Sequence, residues 1–165
     1  MIYLTLIFSF LFEACFSNVI PLFSILTPLF LITSLVVLYP YFKGKRINFI
    51  IVCLICGLFY DIIYTNLPFI NTITISLTGL FIIFLYNYFN YNLLNCNIIV
   101  CLTIIIYRVL CYLLLIIIDF LSLGMSELFA SIYTSLISNF IYTIILYLFI
   151  DVISKLFNIK KIDKF

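Results

Sequence analysis

Residues 47–85 read INFIIVCLICGLFYDIIY (47–64), TNLP (65–68) and FINTITISLTGLFIIFL (69–85), and the reading of this stretch decides the fold. Each apolar run approaches the ~20 residues that carry a helix across about 30 Å of hydrocarbon. The first run holds one charged side chain, Asp61, and the second holds none. Thr65 to Pro68 is too short to cross back, so the two runs form an antiparallel hairpin of membrane helices. Gly57 and Asp61 stand four apart and share one helical face, where a glycine admits a close neighbour and a carboxylate meets a partner. Thr72, Ser76 and Gly79 recur on one face of the second run, which lets the two faces pack across the turn.

The rest of the chain extends this reading. Of its 165 residues 67% are apolar and 8% charged, with a mean hydropathy of +1.40. A soluble domain carries roughly 25% charged residues. Breaks in hydrophobicity divide the chain into six spans, at 2–20, 25–42, 47–64, 69–85, 98–120 and 128–149, followed by a short basic tail over 150–165; a five-span alternative would fuse the first two segments, across Pro21 and Pro28. The predicted fold is therefore an all-α polytopic membrane protein, one compact bundle of six transmembrane helices with no room for a soluble domain. The first segment is apolar without a basic n-region or a clear cleavage site, and reads as a retained span. Lys43, Lys45, Arg46, Lys155, Lys160, Lys161 and Lys164 fall on one side of this six-span arrangement and no lysine or arginine falls in the opposite loops. The positive-inside rule then puts both termini in the cytoplasm.

Several chemistries lose their residues at this point. There is no histidine, hence no base for a serine or cysteine nucleophile and no commonest metal ligand. Cys53-Leu-Ile-Cys56 is formally a CxxC, but it lies inside an apolar run with no second pair, and the six cysteines read as small hydrophobes. Four glycines form no phosphate loop. The expectation is a non-enzymatic protein without metal or cofactor, and nothing points to nucleic acid.

Charges inside a bilayer cost several kcal/mol unless paired or hydrated, which makes each a candidate for function. Asp119 and Glu127 flank the loop between the last two spans and read as solvated span ends. Glu13 and Arg108 fall about 15 Å into their spans, near the midplane, and Asp61 about one turn nearer the outer face. Glu13, Asp61 and Arg108 are thus the intramembrane ion-pair candidates, Arg108 bridging to one carboxylate or to both.

The segment from Gly57 through Asp61, Asn71, Thr72 and Ser76 to Gly79 resembles the signature of the MreD family of rod shape-determining membrane proteins: a Gly-x-x-x-Asp span end, a short polar turn and a following span with small residues. Pro28, the basic Lys43 to Arg46 turn and the polar point Ser138-Asn139 in the last span agree with the family. Many members carry glycine where this chain has Phe69. The resemblance implies a scaffold of the cell-elongation machinery in the bacterial cytoplasmic (inner) membrane. Its implied partners are MreC, then MreB, RodA and a class B penicillin-binding protein, the transpeptidase of that complex. Gly57, Asp61, Ser76, Gly79 and Asn139 are the structural or interaction candidates, and anionic lipid is a candidate contact for the basic clusters. The family is also similar in topology to the substrate-binding subunits of energy-coupling-factor vitamin transporters, which defines the alternative function. Whether the chain forms a homo-oligomer, and which face meets which partner, stays open.

Overall fold

The computed structural model describes residues 2–19, 28–42, 45–64, 69–118 and 125–157. Among these the regular structure is all helical, with six helices: α1 (Ile2–Val19), α2 (Phe30–Leu38, continued by a 3-10 turn over Tyr39–Phe42), α3 (Arg46–Tyr64), α4 (Ile70–Tyr86), α5 (Leu93–Ile117) and α6 (Met125–Leu156). Three stretches, Arg46–Tyr64, Leu93–Ile117 and Leu128–Leu156, are long and apolar enough to cross a membrane, and the other helices are shorter and apolar.

Contacts between helices set their directions. The end of α3 meets the start of α4, and late residues of α1 meet the start of α2; here this end of the bundle is called distal. At the opposite, proximal end the 3-10 turn after α2 meets the foot of α3, the end of α4 and the stretch before α5 through rings of Tyr39, Phe49, Tyr86, Tyr41 and Tyr91.

The helix at the centre is α2. Every residue from Phe30 to Leu38 is buried, and α1, α4, α5 and α6 all pack on it. A sequence hydrophobic all round suits either a membrane span or a core helix. With nine α-helical residues and a four-residue 3-10 turn, α2 is about 21 Å long and falls short of the ~30 Å hydrocarbon layer. Its start meets side chains of α1 and α6 inside the bundle. The second apolar segment, expected as an 18-residue span from residue 25, is a short core helix over its described part; residues 25–27 lie outside the described residues.

Two other boundaries move. The fifth helix begins at Leu93, five residues before the expected 98. Hydropathy scores asparagine as a loop residue, but Asn95 Nδ2 donates to Asn90 O and Asn97 Nδ2 to Leu93 O, so both are accommodated in the first turns of α5. The sixth helix runs to Leu156 instead of ending at 149, and Asp151 pairs with Lys155 one turn on at 2.7 Å. Hydrophobicity marks the apolar part of a helix and is silent about a polar extension.

Candidate functional site

A layer of buried polar side chains crosses the distal half of the bundle, and all six helices contribute to it. Its most complete part is the tip of the α3–α4 hairpin. The N-cap of α4 is Phe69, which offers no side-chain hydrogen bond to the exposed amides of the first turn. Asp61 of α3 takes that role from outside. Its Oδ1 accepts from Asn71 N (2.9 Å) and Asn71 Nδ2 (3.0 Å), and its Oδ2 from Thr72 N (2.8 Å) and Thr72 Oγ1 (2.6 Å). Asn71 and Thr72 are the second and third residues of α4, the amides that an N-cap side chain normally satisfies. The negative charge also faces the positive end of the helix dipole.

Gly57 lets the two helices come this close. A Cβ added there would lie 2.6 Å from Thr72 Cα and 3.0 Å from Asn71 O. Gly79, farther down the same seam, faces the Cys53 side chain, and a Cβ added there would lie 2.7 Å from its Sγ. Ser76 is half-buried and donates to Thr72 O at 2.6 Å within its own helix. Phe69 adopts a left-handed backbone, φ 70°, the conformation that glycine takes without steric cost.

The same device recurs at α2. Its N-cap residue, Leu29, has no capping side chain either. Glu13 of α1, 1% exposed, accepts from Leu31 N (2.9 Å) and from Tyr60 Oη (2.6 Å). Asn139 of α6, fully buried, accepts from Leu29 N (3.3 Å) and Thr33 Oγ1 (2.8 Å) through Oδ1 and donates from Nδ2 to Ser135 O. Two short helices starting inside the bundle thus take their caps from neighbouring helices, which satisfies amides that hydrocarbon would leave unpaired.

The layer closes through α5 and α6. Tyr107 donates to Asn71 Oδ1 at 2.7 Å, linking α5 to the Asp61 cap, and Cys111 Sγ lies 3.7 Å from Thr74 Oγ1. Arg108 donates from Nε (3.1 Å) and Nη2 (2.6 Å) to Ser135 Oγ. The sequence pairs Arg108 with Glu13 or Asp61. Among the described contacts the two carboxylates accept from neutral donors at helix starts and Arg108 donates to a neutral hydroxyl, while the Arg108 charge also acts on Glu13.

Of the five structural or interaction candidates, Gly57, Asp61, Gly79 and Asn139 are buried in seams inside the bundle and Ser76 is half-buried beside one. Sequence reasoning missed Tyr60, Tyr107 and Thr33 as partners of the layer. Tyrosines in a membrane chain read first as an interfacial belt, and the signal available was Tyr60 beside Asp61. Among the described residues no group of three metal-ligating side chains gathers, and the described cysteines are free thiols. The arrangement holds helices in register by charge-assisted hydrogen bonds in a dry interior, where such bonds are strong. Comparison with family models, with curated proteins and with solved structures finds no match to this chain.

Proposed function

We propose that the protein is a non-enzymatic scaffold of a bacterial cell-elongation complex, similar to MreD, that holds an MreC-like single-span partner and cell-wall synthases in the cytoplasmic membrane. The observation that carries this reading is the hairpin tip: Gly57 against the α4 backbone, Asp61 capping α4, and a left-handed residue at Phe69, the position where many MreD members carry glycine. These are the residues on which the resemblance rests, and they form one rigid unit. Small or polar residues inside the seams leave the outward faces of the hairpin apolar, with Leu54, Leu58 and Ile62 exposed on α3 and Ile73, Leu77 and Leu80 on α4. Such faces suit lateral packing against a partner's transmembrane helix. Lys45, Arg46 and Lys155 lie at the proximal end of their helices, which supports a cytoplasmic proximal end.

The test is affinity purification of the tagged protein from gently solubilised native membranes, with mass spectrometry of what accompanies it. The scaffold reading expects a single-span protein with a large outer domain together with cell-wall synthases. Recovery of paired ATPases in their place would overturn it in favour of a vitamin-transporter subunit. Asp61→Ala is expected to lower partner recovery while the chain still inserts.

A further inference from the structure

Proximal to the Glu13–Tyr60 contact, α1 and α3 flank a groove of about 340 Å³. Its walls are Leu6, Ile7 and Phe10 of α1 and Val52, Ile55 and Phe59 of α3, and Leu31 of α2 forms its floor. Ile7, Ile55 and Phe59 are exposed, so the groove opens sideways. Its distal end is shut: Tyr64 Oη donates to Phe10 O at 3.2 Å, and the Phe10 ring packs on those of Tyr64 and Tyr60. The lining offers no polar partners for water, and a dry, laterally open slot in a membrane fills with something apolar.

The foot of α3 indicates what fills it. Positions 52 and 59 are seven apart, two helical turns, and so share the face that lines the groove; Asn48 falls on that face as well, and Lys45, whose carbonyl accepts from Phe49 N, immediately precedes the helix. Lys45 and Asn48 are exposed. Lys45 stands about 10 Å proximal to Val52, so one face passes from cation to amide to hydrocarbon within the ~15 Å depth of a leaflet. A partner's helix, about 10 Å across and crossing the whole membrane, would run into the Tyr64–Phe10 closure, whereas a chain of one leaflet's length ends below it.

We propose that an anionic phospholipid of the leaflet at the proximal end docks here, one acyl chain in the α1–α3 groove and its phosphate on Lys45. This inference does not depend on the scaffold reading.

The chain has no tryptophan, so a single introduced indole reports locally. Ile55→Trp places one in the groove. Leu77→Trp places one at similar depth on the lipid-facing side of α4, since Cys53 stands opposite Gly79 and Gly57 opposite Thr72. The full-length protein is reconstituted in phosphatidylcholine vesicles holding a minor fraction of phosphatidylglycerol with brominated acyl chains. Quenching is expected to be several-fold stronger at residue 55 than at residue 77. Moving the bromine to phosphatidylcholine should remove the difference. Lys45→Gln should reduce the headgroup preference about fivefold, matching ~1 kcal/mol per basic residue at a surface. Phe59→Trp, which keeps an aromatic ring in place, repeats the measurement should the indole at residue 55 itself fill the slot. Equal quenching at the two positions, groove quenching indifferent to headgroup and to Lys45, or an unquenched groove in a chain that sediments as a dimer would each overturn the proposal, the last by assigning the groove to a second copy.

Discussion

Gly57→Ala offers the sharpest test of the hairpin geometry, because the ordinary effect of that change has the opposite sign. Alanine inside a helix is favoured over glycine by about 1 kcal/mol. At residue 57 the new methyl would stand 2.6 Å from Thr72 Cα and 3.1 Å from Thr72 N, both backbone atoms that no rotamer change can move. Ordinary carbon contact needs at least ~3.5 Å, so α4 must retreat by roughly 1 Å. The Asp61 bonds to Asn71 and Thr72, now 2.6 to 3.0 Å, then pass the limit of hydrogen bonding. Overpacking costs about 1–3 kcal/mol and loss of a cap about 0.5–2, against the ~1 gained in propensity. The expected net loss is about 2 kcal/mol. Titration of the detergent-solubilised protein with SDS, followed by circular dichroism, measures it. A Gly57→Ala protein as stable as the parent would refute the reasoning, provided Asp61→Asn in the same assay remains destabilising.

At Gly79 the obstruction is the Cys53 side chain; Gly79→Ala and Cys53→Ala should each destabilise by about 1 kcal/mol, while the double variant returns to within ~1 of the parent, a non-additivity read from the same titration. Phe69→Gly relieves a left-handed residue worth about 1–2 kcal/mol and gives back about 0.5–1 in chain entropy, so a small gain in stability is expected; Phe69→Val should lose instead, and the reverse order would show that the turn is not strained. Glu13→Ala leaves Leu31 N and Tyr60 Oη without their acceptor, and a double-mutant cycle with Tyr60→Phe is expected to give a coupling of about 1–3 kcal/mol, with near-additivity as the contrary result.

What could be read from the chain beforehand divides along physical lines. Asp61 and Gly57 announce themselves, since a carboxylate and a glycine on one face near the end of an apolar run are costly without a reason, and the seam they make with α4 followed from the short turn. Residue counting also grouped Glu13, Asp61 and Arg108, and all three belong to the polar layer. The capping role of the carboxylates was not legible, because backbone amides at a helix start carry no letter in the sequence. Leu29 and Phe69 look like ordinary apolar residues, yet each opens a helix that lacks its own cap. The role of α2 was hidden for a related reason. Uniform hydrophobicity cannot separate a helix facing lipid from one facing protein, and only its length, fixed by the start at Phe30, tells them apart. Tyr86, whose hydroxyl donates to Val36 O near the far end of α2 at 2.9 Å, was likewise indistinguishable from an interfacial tyrosine.

The central position of α2 bears on how the protein is made. Its first amides are satisfied by Glu13, supplied upstream by α1, and by Asn139, supplied far downstream by α6. Until α6 has entered the membrane, Leu29 N and Thr33 Oγ1 lack the Asn139 oxygen, and the nascent bundle holds an unfinished core. Closure of this seam therefore waits for α6, and a chain cut short before residue 139 presents an open polar seam.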